Sequence, residues 1–322
     1  MISIGMNQVG RGQKPFIIAE VGSNFTCFDD CKDSIAKAKA CGADAVKFQA
    51  FDRKSLYGSQ GEMPGSLPMD WIPRLSLKAK ACGIEFMCSA FSPELVEAVN
   101  PYTNVHKVAS AELTHLRILE KVRSLGKPVI LSTGASGESD IRGALEVLSG
   151  VPVILLYCVA AYPARVIDLG VIAQMERTFG VPVGFSDHSE SATVIPQRAA
   201  ELGACVIEKH VNFVGATSPD SPHSLSTDEF KLMVETIHGT VSRGMGPTQE
   251  ENGMIRRHNR RILAIRDIPL GEALQEGVNF GIYRSLIDDA TAAHPFAIHG
   301  MIGRGVRRAI KAGQGIAMSD VI

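Results

Sequence analysis

Eight short runs of apolar and β-branched residues recur at even spacing along the first three-quarters of this chain, each followed by a stretch with helical periodicity. The runs are PFIIAEV, DAVKFQAF, IEFMCSAF, NVHKVASAE, PVILSTG, VPVILLYCV, VPVGFSDH and ACVIEKHV. A near-continuous apolar run fits a parallel strand buried on both faces. Alternation with amphipathic stretches such as DDCKDSIAKAKACG, which ends in a glycine, fits crossover helices. Eight such units in about 240 residues predict an α/β fold of the (β/α)8 TIM-barrel type. A doubly wound open sheet is the rival, but eight strands so evenly spaced close more naturally than they stay open.

The character of the chain changes after a last barrel helix expected around Phe230 to Ser242. A polar, glycine-containing stretch follows, and then short strand-like runs broken by glycine turns, without long helices. The expected organisation is a barrel over 1–243, a linker over 244–258 and a small β-rich domain over 259–322. So small a domain is suited to docking on a barrel or on a partner subunit.

Composition narrows the partners. With 45% apolar and 21% charged residues and a net charge of −1, the chain has the mix of a globular enzyme. It carries no bulk charge to capture nucleic acid or an acidic membrane surface. The longest apolar run, Val151 to Ala161, is about half of the ~20 residues that span a bilayer. The seven cysteines are scattered, with no CxxC pair and no zinc-like Cys/His spacing. Reduced thiols in a cytoplasmic enzyme are therefore expected, and the N-terminus has no signal-peptide apolar core.

In a barrel, chemistry gathers where each strand ends. Those positions read Glu20, Lys47 and Gln49, Ser89 and Phe91, Lys107 with Ser110 and Glu112, Ser132 and Thr133, Tyr162, Ser186 with Asp187 and His188, then Glu208, Lys209 and His210. Ionisable groups are costly to bury without ligands or one another, so their concentration on one rim points to a site. His188 and His210 end neighbouring strands, where two imidazoles can share a divalent metal or simply bond loops. Lys47 and Lys107, with the serine hydroxyls, suit a small dianion. A Schiff base is a second reading, and an interior pair of Lys47 with Glu20 or Glu112 is a third. Glu20 and Glu112 are candidates for proton transfer or for positioning water. Asp187 is expected to point away or to cap the following helix.

Taken together, FIIAEVGSN, GADAVKFQAF, GIEFMCSAFS, HKVASAELTHL, GKPVILSTG, PVGFSDHS and GACVIEKHV resemble the sialic acid synthase family, the N-acylneuraminate and related nonulosonic acid synthases. The tail RRILAIRDIPLGEAL to GRGVRRAIKAGQGI resembles that family's antifreeze-like (SAF) domain. The resemblance spans essentially the whole chain, and SDH followed one βα unit later by EKH is its sharpest motif. It implies metal-dependent condensation of phosphoenolpyruvate with an N-acyl hexosamine such as N-acetylmannosamine, within polysaccharide biosynthesis. On that template His188 and His210 hold Mn2+, with Mg2+ or Co2+ as alternatives. Glu20 positions or deprotonates water or a hydroxyl. Lys47, Ser89 and Lys107 hold the carboxylate, and Ser110, Ser132 and Ser186 hold the phosphate. Gln49, Phe91, Glu112 and Tyr162 line the sugar side, and Asp220 meets a sugar hydroxyl. The family is a domain-swapped homodimer in which an SAF arginine, here Arg284, reaches the partner's acyl-sugar pocket.

The chain departs from the family pattern in places. Phe25 follows Asn24 where the family has His, and Ala160 stands where it has a phosphate-binding Asn. SLIDDA replaces Pro-Gly-Asn-Gly after Arg284, and SPDSPHSLS replaces Gly-Pro-Asp-His. Two further readings follow. One is a 3-deoxy-ulosonic acid synthase using an aldose phosphate, with Arg53, Lys54 and Arg165 for the second phosphate. The other is a degenerate paralogue that binds a glycan precursor or a partner protein without catalysis.

Overall fold

The computed structural model describes residues 1–59, 61, 64–239, 259–284 and 291–322. It divides into two compact units, 1–242 and 243–322. The first opens with an antiparallel hairpin that the sequence reading did not anticipate, β1 (Ile2–Ile4) and β2 (Asn7–Val9). Eight parallel strands then close into a barrel: β3 (Phe16–Gly22), β4 (Ala45–Ala50), β5 (Glu85–Ala90), β6 (His106–Val108), β7 (Val129–Ser132), β8 (Val153–Cys158), β9 (Val183–Asp187) and β10 (Val206–His210). Each strand pairs with its sequence neighbour, and β10 pairs with β3. The expected TIM barrel is the observed one.

Around it lie α1 (Phe28–Ala40), α2 (Arg53–Tyr57), α3 (Ile72–Cys82), α4 (Pro93–Val99), α5 (Leu116–Leu125), α6 (Glu138–Val147), α7 (Gly170–Phe179), α8 (Val194–Glu201) and α9 (Thr227–Gly239). Their ends follow local chemistry. Ser92 caps α4 through Leu95 N, and glycines in the left-handed region close α3, α5 and α7. The last barrel helix begins earlier than expected and is described to Gly239; residues 240–258, including the expected linker, lie outside the described residues.

Alternation along each strand sorts the side chains into two cores. Ile17, Ala19, Val21, Val46, Phe48, Leu131, Leu155 and Ile207 face the helices. Phe16, Ile18, Ala45, Met87, Ile130, Ile154, Leu156 and Val206 fill the barrel interior together with Ile2, Ile4 and Val9 of the hairpin, which thus seals the end opposite the strand C-termini. The interior is tight at Gly184 of β9, where a Cβ would meet Val206 O at 2.6 Å and Leu156 Cδ2 at 2.7 Å. Above this apolar floor the inward positions turn polar, and the site begins there.

One strand is shorter than its sequence suggested. The run NVHKVASAE was expected to be extended through Glu112, but β6 ends at Val108. Ser110–Glu112 forms a 3-10 turn, closed by Glu112 N donating to Ala109 O at 3.0 Å. Small residues in ASA permit the turn, which lifts Ser110 towards the next loop.

In the second unit, β11 (Arg260–Ala264) pairs antiparallel with β12 (Phe280–Arg284). Ile262, Ile268, Leu274, Phe280, Ile298, Met301, Val306, Ile310, Ile316 and Val321 form its own apolar core. Isolated bridges such as Ile268 to Ile310 and Val306 to Val321 tie the turns together. Arg284 is exposed at the end of β12, and the SLIDDA stretch after it lies outside the described residues.

Candidate active site

Parallel pairing puts Glu20 of β3 beside Lys47 of β4, and both side chains turn inward and are buried. Glu20 Oε2 lies 2.5 Å from Lys47 Nζ, and Glu20 Oε1 accepts from Gln49 Nε2 at 2.6 Å. Lys47 also donates to Ser89 Oγ at 3.2 Å. Of the three readings open for Lys47 in the sequence, the interior ion pair with Glu20 is present.

Glu208 of β10 lies between the two lysines. Its Oε1 is 3.8 Å from Lys47 Nζ and 3.5 Å from Lys107 Nζ, and it accepts from Ser186 Oγ at 3.2 Å. Lys107 in turn donates to Ser132 Oγ at 2.9 Å. Two ammonium groups and two carboxylates thus occupy one buried mouth with serine hydroxyls around them. Burial alone would raise the Glu208 carboxyl, but Lys107 and Lys47 outweigh it and hold it at about 2. Glu20 differs. Burial pushes it above the ordinary carboxylate range, with Lys47 pulling against that rise and the Glu208 charge adding to it. Lys107 is lowered by burial, with Glu208 opposing the fall. Of the four groups, Glu20 is the carboxylate most ready to take a proton.

Above this charge network stand three imidazoles. His188 Nδ1 bonds Val159 O at 2.9 Å, which places its proton on Nδ1 and leaves Nε2 with a lone pair, 3.5 Å from Ser186 Oγ. The rings of His188 and His210 lie 5.8 Å apart between centroids. The third imidazole, His223, was not anticipated; its ring is 5.0 Å from that of His210. It belongs to the loop after β10, together with Asp220. Ligand atoms of His210, Asp220 and His223 all lie within 4.8 Å of one another. Among the described residues, His210 Nδ1 and His223 Nε2 are buried without a hydrogen-bond partner. Burial holds all three imidazoles below their ordinary values, His210 at about 3, so they are neutral. Neutral imidazoles with orphaned buried nitrogens, beside a carboxylate, are a donor set that fits a divalent cation.

The remaining rim residues divide. Tyr162 stacks on His188 with centroids 4.1 Å apart, and its ring is 4.7 Å from that of His223. Ser110 Oγ accepts from Gly134 N at 3.0 Å. A Cβ on Gly134 would meet Ser110 Oγ, Ala160 Cβ and Cys158 Sγ, so Ala160 borders the Ser110 turn. Asp220 Oδ2 accepts from Ser23 N at 2.7 Å and from Ser23 Oγ at 2.8 Å. Gly22 allows that approach; it has φ of 58°, and a Cβ there would strike the same carboxylate oxygen. Phe91 packs edge-on against Phe51 at 5.7 Å. Glu112 is buried on the turn after β6; among the described residues no hydrogen bond or ion pair joins it to the charge network.

Two positions face away from the mouth. Asp187 and Lys209 pair at 2.8 Å behind the strands, and Lys209 also donates to Ser189 O. Asp187 therefore points away, as expected, and Lys209 leaves the rim because β10 alternates. Phe25 packs against Phe48 and Trp71, on the helix side of the barrel wall. The departure at Phe25 thus adds to the outer core and does not fill the mouth. His223 had one usable signal in the sequence, its spacing three residues after Asp220 in a proline-containing turn, which brings the two side chains together.

The comparisons with known proteins follow the same lines. The NeuB family model matches residues 34–249. The chain is 32% identical to the N,N'-diacetyllegionaminic acid synthase of Campylobacter jejuni, over 82% of this chain and 89% of that protein. It is 29% identical to the pseudaminic acid synthase of Helicobacter pylori, over 96% and 98%. Among solved structures it is similar to the N-acetylneuraminic acid (sialic acid) synthetase of Leptospira borgpetersenii, with a TM-score of 0.73, 26% identity and coverage of 79% and 94%. No described helix is long and apolar enough to cross a membrane.

Proposed function

The chain belongs to the NeuB family, and on that premise we propose that it condenses phosphoenolpyruvate with an N-acyl hexosamine to a nonulosonic acid, releasing phosphate. The observation that carries this reading is the buried network of Glu20, Lys47, Glu208 and Lys107 under the imidazoles. Named relatives act as legionaminic and pseudaminic acid synthases, which supports an acid synthase that uses a sugar.

Phosphoenolpyruvate carries a carboxylate and a phosphate on one small frame. Lys47 and Lys107 are the cations that would bind it, with Ser89, Ser132 and Ser186 completing the cradle and Ser110 on the phosphate side. The anion would displace Glu20 and Glu208 as partners of the lysines and raise the proton affinity of the Glu20 carboxylate, already raised by burial, which makes it a stronger base. C3 of phosphoenolpyruvate attacks the sugar's aldehyde carbon, water adds at C2, and the C2–O bond to phosphate breaks. Glu20 would position that water and take its proton. A divalent ion, Mn2+ first, held by His188 and His210 would supply Lewis-acid polarisation of the aldehyde oxygen. Tyr162, Gln49, Phe91, Glu112 and Asp220 would line the sugar. The second unit would be the antifreeze-like domain, with exposed Arg284 offered to the acyl group in a partner's barrel, and the enzyme a cytoplasmic homodimer.

The test is release of inorganic phosphate from phosphoenolpyruvate with Mn2+ and a panel of N-acyl hexosamines, with the 2-keto acid product identified by mass. Phosphate release that depends on one of these sugars is expected. No turnover with any of them in folded protein would overturn the reading, and turnover only with aldose phosphates would replace it with the 3-deoxy-ulosonic acid alternative.

A further inference from the structure

We infer that His223 and Asp220 are ligands of the ion held by His210, so that the metal site of this chain draws on the loop after β10 as well as on the strand ends. The inference deepens the proposed function and rests on its metal-dependent reading. Four observations carry it.

The ligand atoms of His210, Asp220 and His223 lie within 4.8 Å of one another. Three groups bound about 2.1 Å from one ion lie roughly 3.0–3.6 Å apart, so a closing movement of about 1–2 Å at the widest pair brings them to coordination distance. Second, His210 Nδ1 and His223 Nε2 are buried and make no hydrogen bond among the described residues. An orphaned buried nitrogen is destabilising, and coordination removes that cost. Third, the carboxylate is already oriented. Ser23 occupies Asp220 Oδ2 with two hydrogen bonds, while Oδ1 faces His223 Nε2 at 3.7 Å. Ligands fixed by outer partners in this way are the rule at metal sites. Fourth, the loop is anchored. Ser224 Oγ donates to Asp220 O at 2.7 Å and accepts from Asn24 Nδ2 at 2.7 Å, and Ser218 Oγ donates to Asn24 Oδ1 at 2.6 Å. Asn24, at the end of the first barrel strand, thereby ties this turn to the barrel. With His188 of the proposed pair, three histidines and one carboxylate suit first-row divalent ions such as Mn2+, Fe2+ or Co2+.

The experiment measures Mn2+ binding to the full chain by the loss of the free-ion EPR signal, with no phosphoenolpyruvate or sugar present. Co2+ absorption serves as a second readout of the ligand set. His223→Ala is expected to weaken Mn2+ at least ~10-fold and to change the Co2+ spectrum. His223→Asp, which returns an oxygen ligand, is expected to recover part of the affinity; a purely packing role for His223 would give no such recovery. Wild-type Mn2+ affinity in a folded His223→Ala protein overturns the inference. If that retained Mn2+ affinity is joined, in a separate titration, by weaker sugar binding, His223 is a sugar contact instead. Because no substrate is present, failed turnover alongside intact metal binding counts against the proposed reaction and leaves this ligand assignment standing.

Discussion

Glu20 and Lys47 are register partners on adjacent parallel strands, and their charged ends meet 2.5 Å apart in a mouth closed to solvent on the floor side. The pairing matters because Lys47 is shared: Glu208 draws on it from the other side, at 3.8 Å. Glu20 is therefore a carboxylate with a cation beside it and a second carboxylate close by, and burial raises its affinity for a proton.

Glu20→Gln keeps the shape and the Gln49 neighbour but removes the proton acceptor. Turnover is expected to fall roughly 10²–10⁴-fold, the range for loss of a general base. The KM for phosphoenolpyruvate should hold or drop, because a carboxylate that competes for Lys47 is gone. Steady-state kinetics decide it. A defect confined to a raised KM would make Glu20 a binding group.

Lys107→Met leaves two carboxylates on one ammonium. Breaking such a buried arrangement from one side costs about 3–5 kcal/mol. Adding Glu208→Gln removes the unpaired charge, so the double variant should regain much of that loss. Urea unfolding of the metal-free proteins reads this directly. Equal midpoints for the single and double variants would mean that Lys107 and Glu208, 3.5 Å apart, are not coupled.

Gly184→Ala should fail to fold or lose about 3 kcal/mol, since the new methyl would press on Val206 O and Leu156 across the barrel interior. Soluble yield and the urea midpoint are the measurements. Wild-type behaviour would mean that the interior at this level has room to spare.

His106 sits on the outer side of β6, where burial, with Lys127 adding to it, depresses its imidazole from 6.5 to about 4. It is neutral in the fold, and its Nε2–H donates to Asn100 Oδ1 at 3.1 Å, since an amide oxygen only accepts. A depressed histidine favours the folded state fully above the unfolded value. That advantage is lost as pH falls from 6.5 towards 4, by about 3 kcal/mol in all. His188, His210 and His223 are lowered by burial too, so the informative quantity is the difference between wild type and His106→Gln. The variant should lose less stability between pH 7 and pH 4, as urea titrations across that range would show. Parallel losses in the two proteins would remove His106 from the acid response.

Much of this was legible in the sequence because barrels impose local patterns. Buried parallel strands must be apolar on both faces, so FIIAEV and VILLYC announced themselves, and the polar residue ending each run marked the rim. Phe25 shows the limit. As a departure from the family motif it favoured a non-catalytic paralogue, but the chain turns it towards Phe48 and Trp71, and no pattern in the sequence fixes that direction. Lys209 is similar, since alternation along β10 decides that Glu208 and His210 face the mouth while Lys209 joins Asp187 behind it.

By itself the sequence determined the barrel, the strand order and the inventory of lysines, glutamates and histidines at the rim, because hydrophobic periodicity and strand ends are local properties. Only the tertiary structure decided which charges share a partner and that His223 meets His210. Closure of the barrel brings β10 against β3, and so sets Glu208 between lysines that lie 161 and 101 positions before it in the chain. Interactions of that kind depend on distances through space, which a linear pattern does not contain.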